Sequence, residues 1–172
     1  KDAPNYAPFI TLAKLLIKIG VKEEAAPVLT AYLNKFAILH SFEYPATSQL
    51  FDSGYMKVIR FLGTLEVPKD GTPLLSTGKH PEECIRRALY YHYRAERDIA
   101  HKELQNAAKG LKGLGPFAHL TLATIEERLY FFELCASELR AALLKPMKVL
   151  DLARLDAVRP GPIAVTEKAA HF

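Results

Sequence analysis

Cysteine is scarce: two residues in a chain of 172, too few for a disulfide framework. Nor are these two expected to bridge each other. Cys84 lies 29 residues before Gly113 and Cys135 lies 22 after it. In a hairpin turning near Gly113 that offset is roughly 10 Å, at about 1.5 Å of rise per residue, whereas a disulfide needs Cα atoms within about 7 Å. Two free thiols and a reducing, intracellular compartment are the expectation. Long apolar runs are missing too. Lys14 and Lys18 interrupt the apolar first segment, and nothing reaches the roughly 18 residues that a spanning helix requires. No signal peptide is visible, and no long stretch alternates as a half-buried strand does.

Chemical signatures are equally thin. There is no His-Glu-x-x-His and no Cys-x-x-Cys. His80, His92, His101 and His119 share a region with Glu96 and Glu103, but a di-metal bundle wants a Glu-x-x-His step on two helices, and Glu96 to His101 is five residues. The glycine-rich stretch Gly110-Leu111-Lys112-Gly113-Leu114-Gly115-Pro116 lacks the Gly-Lys-Ser/Thr ending of a phosphate loop and follows no strand. It reads as a turn. A thiolate activated by a histidine would need His92 beside Cys135, with Glu96 or Glu138 as a third group; a boundary histidine explains His92 as well. No catalytic residue, metal site or cofactor is assigned.

What is present is an ordinary globular composition, 49% hydrophobic and 24% charged, with a net charge of +4 and a pI near 9.0. The mild basicity is compatible with nucleic acid, acidic lipid or an acidic protein. The chain starts at Lys1. A cleaved organelle presequence, mitochondrial for preference, would explain that start and the pI; a fragment of a longer protein explains the start equally well.

Helical periodicity dominates. Phe9, Leu12, Leu15, Leu16 and Ile19 mark a helix over 6–19, which Gly20 stops. A second helix is expected from Lys22 to about His40, with Glu23 and Glu24 in its first turn and Pro27 near its start. A third follows, near Ala46 to Leu65. Residues 66–80, with Pro68, Gly71, Pro73 and Gly78, form the longest irregular connection and a possible seam. Two long helices then make a central hairpin over about 81–145: Pro81 opens the first and Lys109-Gly110 close it, while Pro116 opens the second. The stripe of the second is Ala118, Leu122, Ile125, Leu129, Phe132, Ala136, Leu139 and Leu143, a bundle spacing. Pro146 ends or kinks it, Met147 to Val158 could form a last short helix, and 159–172 is an extended or disordered tail. The fold class is all-α, about five or six helices in one domain over 1–158.

Leu12-Ala13, Leu16, Gly20, Ala25 and Leu29 sit at the relative spacings of a tetratricopeptide-type repeat. Residues 6–38, about a fifth of the chain, resemble one such repeat. Two positions depart from the pattern: Leu16 replaces a tyrosine and Tyr32 a small residue. No second copy follows about 34 residues later. The resemblance implies a helix-turn-helix packing unit and a protein-binding surface; the similarly outlined pentatricopeptide repeats bind RNA. A generic helical hairpin explains the same residues.

The candidate binding face is the aromatic and basic cluster on the 81–109 helix. Arg87, Tyr90, Tyr91, Tyr93, Arg94 and Arg97, with Arg86, could stack bases and pair phosphates or anchor a protein interface. Helix-spaced pairs such as Glu83–Arg87 and Arg94–Asp98 would instead make it a solvated, salt-bridged face. The leading expectation is a non-catalytic scaffold or adaptor subunit that binds other proteins through this face and through the groove of the 6–38 helix pair. RNA binding is the alternative, and a small helical enzyme using His92 and Cys135 the third.

Overall fold

A computed structural model describes residues 5–41, 50–51 and 53–144, without the side chains of 40 and 41. These residues are all-helical, with no strand. They form seven α-helices of nine residues or more, rather than five or six, and one single turn. They are α1 (Ala7–Lys18), α2 (Ala25–Leu33), the single turn α3 (Ile38–Ser41), α4 (Gly54–Thr64), α5 (Pro81–Tyr93), α6 (Arg97–Gly110), α7 (Pro116–Arg128) and α8 (Phe132–Leu144). The expected start of the third helix at Ala46, the short helix over 147–158 and the tail over 159–172 lie outside the described residues.

The two long helices of the central hairpin are in fact four. The first breaks at Arg94-Ala95-Glu96 and the second at Leu129-Tyr130-Phe131, so α5 pairs with α6 and α7 with α8. Periodicity could not reveal the breaks. After a tight turn the returning helix also presents apolar residues at helical spacing, so the stripe reads through. Glycine or proline would normally punctuate the turn; here Ala95 (φ +60°) and Tyr130 (φ +63°) hold the left-handed conformation instead, at about 1–2 kcal/mol each for a residue with a Cβ. The glycine-rich 110–116 stretch joins two hairpins rather than capping one.

Three hairpins share one turn. At the end of α1, Gly20 is left-handed (φ +86°) and Val21 N–H donates to Leu16 O at 3.0 Å. At the end of α5, Glu96 N–H donates to Tyr91 O at 2.9 Å; at the end of α7, Phe131 N–H donates to Glu126 O at 2.8 Å. This six-to-one closure satisfies helix carbonyls that would otherwise be orphaned. Aligning the turns puts Ala13, Ala88 and Ala123 at one position and Ala25, Ala100 and Cys135 at another, all buried. Small residues there let each pair of helices approach closely. The second and third hairpins are 35 residues apart, as Pro81 and Pro116 show; the first lies 75 residues before the second.

The expected second helix is also divided. Lys22–Glu24 form a 3-10 turn, α2 ends at Leu33, and α3 follows. The Glu82 carboxyl accepts the N–H groups of Ile38 and Leu39 at 2.7 Å each, capping α3 from α5. One buried cluster runs from Ala13 to Phe131, on both sides of residues 66–80. Phe9, Tyr32, Phe36 and Tyr55 form a chain of ring contacts through it, with centroids 5.2–5.6 Å apart. A satellite cluster of Leu120, Ala123, Cys135, Leu139 and Ala142 lies between α7 and α8.

Candidate functional site

The arginines of the aromatic and basic cluster bond carbonyl oxygens of neighbouring elements, Arg86 and Arg87 from buried positions, Arg94 half-buried and Arg97 exposed. Arg86 is buried and bonds Asn34 Oδ1 at 2.7 Å, Tyr55 Oη at 3.3 Å and Leu33 O at 3.4 Å, closing the C-terminus of α2. Burial pushes the Tyr55 hydroxyl up to about 12. Arg87, also buried, donates to Ser76 O and Gly78 O and lies 3.0 Å from Glu103 Oε2, pinning the 65–80 connection against α5 and α6. Arg94 donates to Glu96 Oε1 at 3.0 Å and to Gly63 O at 3.3 Å, at the end of α4, and stacks over Tyr90. Arg97 donates to Leu129 O (3.0 Å) and Tyr130 O (2.7 Å), at the end of α7, and lies 4.0 Å over Phe131. Helix C-termini concentrate unpaired carbonyls and partial negative charge, so guanidinium groups bind there strongly.

The tyrosines divide between inside and outside. Tyr90 is buried, which raises its hydroxyl pKa, and Tyr91 is half-buried against it. Tyr93 is exposed and covers Gly63 so closely that a Cβ there would collide with its ring. The pairs expected along one helix give way to others. Arg94 and Asp98 straddle the Ala95 break, so Arg94 takes Glu96; Arg87 takes Glu103 from α6, while Glu83 accepts from the Ser76 hydroxyl.

His92 stands near the end of α5, and burial and Arg97 both lower its pKa. Cys135 is in the satellite cluster on α8. Glu138 bonds His119 rather than orienting a dyad: its Oε2 lies 2.7 Å from His119 Nδ1, both side chains being buried. One turn-pair further along α7, Glu126 is fully buried and neither carboxyl oxygen has a hydrogen-bond partner among the described residues. Burial, with the nearby Glu138, pushes its pKa up to about 9, so Glu126 is neutral at pH 7. Sequence reasoning missed it because the apolar stripe Leu122, Ile125, Leu129 passes beside it. Among the described residues no three metal-binding side chains are grouped to hold an ion, and no helix is long and apolar enough to cross a membrane.

The concavity that could receive a ligand lies elsewhere. The 65–76 connection crosses the first hairpin and leaves a cleft of about 1150 Å³. Ala26, Pro27, Thr30 and Ala31 of α2 form its floor; Ile17, Phe61, Leu65, Val67 and Leu74 form apolar walls. Its rim carries both signs, Lys22, Lys69, Glu23, Glu66 and Asp70, with Lys22 and Glu66 paired at 3.1 Å. Gly71 (φ +79°) and a bond from Thr72 N–H to Asp70 Oδ1 at 2.9 Å shape the tip of the connection, and that bond lowers the Asp70 pKa. Thr30 Oγ1 has no hydrogen-bond partner among the described residues. The course of the segment that roofs the cleft was not legible in the sequence.

No family model, no curated protein and no solved structure matches this chain.

Proposed function

We propose that the chain is a non-catalytic helical adaptor that holds an extended segment of a partner protein in the cleft between its first hairpin and the 65–76 connection. The cleft carries this reading: it is mostly apolar and its rim carries two cations and three acids, the usual chemistry of a pocket that buries side chains and fixes orientation with a few polar groups. The repeated hairpin supports it too. Shared turns at Gly20, Ala95 and Tyr130, with buried small residues at matching positions, favour reading the three hairpins as tetratricopeptide-like units that rigidly present a concave surface. RNA binding has less support, because the arginines that would pair phosphates are engaged with carbonyls and the cleft rim offers no run of cations.

Ala31 is exposed on the cleft floor, so Ala31→Glu should block the cleft without disturbing the core. Proteins recovered with the full chain at native expression are compared for wild type, Ala31→Glu and, as a control far from the cleft, Leu144→Glu. The expected result is loss of a stoichiometric partner with Ala31→Glu alone. Retention of every stoichiometric partner by Ala31→Glu overturns the reading.

A further inference from the structure

Most of the neutral polar side chains that line the cleft are engaged or covered. Thr64 Oγ1 donates to Phe61 O, the Ser76 hydroxyl donates to Glu83, and Thr72 and Asp70 bond each other. Thr30 Oγ1 is buried. Asn34 differs. It is exposed, lines the cleft and caps the C-terminal end of α2. Its Oδ1 accepts from Arg86 Nη1 at 2.7 Å. Arg86 is buried, and bonds to Tyr55 Oη at 3.3 Å and Leu33 O at 3.4 Å hold it in place. A guanidinium has donors and no acceptor, so the amide oxygen faces it and the Nδ2 edge faces away. Two effects prepare that nitrogen as a donor. Its orientation is set before a ligand arrives, which removes part of the ordering cost of binding. The cation on Oδ1 polarises the amide and strengthens its N–H groups.

We propose that Asn34 is the residue of the cleft that binds main chain: its Nδ2 donates to a backbone carbonyl of the bound segment, with Arg86 as the positioning residue. This rests on the reading of the cleft as the site of a partner segment, and it specifies what that segment must offer. Carbonyls inside an α-helix are already taken by N–H groups four residues on. An extended chain leaves its carbonyls free to accept. A donor held at a fixed place in the cleft therefore selects an extended segment over a helical one. It also fixes the segment's register without reading its side chains, which leaves sequence preference to the apolar walls Ile17, Phe61, Val67 and Leu74.

Short random peptides displayed on phage are selected on the full chain and counter-selected on Ala31→Glu. The peptide recovered most often is synthesised, and its affinity is read by fluorescence anisotropy. Asn34→Asp is the decisive variant. It keeps an acceptor for Arg86 and turns the donor edge into an oxygen, so the urea midpoint should hold while affinity falls about tenfold or more. A peptide series, each member with one amide replaced by an ester that weakens the carbonyl as an acceptor, should contain one whose loss of affinity on wild type vanishes on Asn34→Asp. Arg86→Met, measured on its folded fraction, should weaken the peptide on wild type and add nothing in the Asn34→Asp background, a coupling that lost stability alone would not give. Unchanged affinity of Asn34→Asp, an ester series with no member coupled to Asn34, or an equal effect of Arg86→Met in both backgrounds would each overturn the proposal while the cleft stands. A selection that yields no peptide lost by Ala31→Glu would overturn the cleft reading and the proposal together.

Discussion

The α5–α6 and α7–α8 hairpins have the same turn and small residues at their crossing, Ala88 with Ala100 and Ala123 with Cys135, yet they bury polar groups in different ways. In α5–α6 the buried cations are satisfied. Arg86 and Arg87 reach carbonyls and side chains from four other parts of the chain. In α7–α8 one buried acid is not: Glu126 has no partner for either oxygen among the described residues. Backbone geometry therefore does not decide where charge can be buried. Access to partner groups does, and α5 has it because α2, α4 and the 65–80 connection all end against it.

Breaking the satisfied hairpin should have the largest effect. Arg87→Met removes two carbonyl bonds of a buried arginine and leaves the half-buried Glu103 facing no cation. The expected loss is about 3–5 kcal/mol, read by urea unfolding, with the 65–80 connection becoming sensitive to proteolysis. An effect within 1 kcal/mol would mean that the contact is no stronger than an exposed ion pair.

The unsatisfied hairpin should respond in the other direction. An ordinary glutamate titrates near 4.5, whereas Glu126 is raised to about 9 in the fold. Between those values the folded chain keeps a proton that the unfolded chain has released, so this group's contribution to stability falls as pH rises from about 4.5 to about 9. Glu126→Gln should remove that slope and stabilise the fold by about 2 kcal/mol at pH 7, less than the full titration cost because the amide also lacks partners. Melting temperatures at pH 5 and pH 8 check both points; a variant whose melting declines with pH as steeply as wild type contradicts the assignment.

A smaller effect is expected where the hairpins meet. Arg97→Gln frees the carbonyls of Leu129 and Tyr130 and the face of Phe131, at about 1–2 kcal/mol, seen as faster amide exchange at the end of α7. The smallest concerns the shared turn. Ala95→Gly and Tyr130→Gly should each stabilise by about 0.5–1 kcal/mol, since glycine takes the left-handed conformation without the Cβ penalty. Destabilisation by both would show that the side chains, and Tyr130 through its 6.1 Å contact with Phe132, matter more than the turn.

Much of the fold was legible because helices announce themselves by period. The outer limits of the second half, Pro81, Gly110 and Pro116, were marked by residues whose chemistry fixes helix ends. The breaks at Ala95 and Tyr130 were not, because residues with side chains, rather than glycines, take the left-handed conformation there. The aromatic and basic cluster was visible, but its direction was not. A sequence shows that Arg86 and Arg97 are cationic; it does not show that the ends of α2 and α7 lie within reach of them. The cleft depends on where the 65–76 connection travels, which no local pattern in Leu65 to Ser76 encodes.

The most direct test is to measure stability and partner recovery side by side for Arg97→Gln, whose bonds to Leu129 O and Tyr130 O lie outside the cleft lining, and Ala31→Glu. If the arginine cluster holds the fold and the cleft holds the partner, Arg97→Gln lowers the urea midpoint while its folded fraction still recovers the partner. Ala31→Glu keeps the wild-type midpoint and loses the partner. The reverse, an Arg97→Gln chain of unchanged stability that no longer recovers the partner while Ala31→Glu still does, would contradict the account.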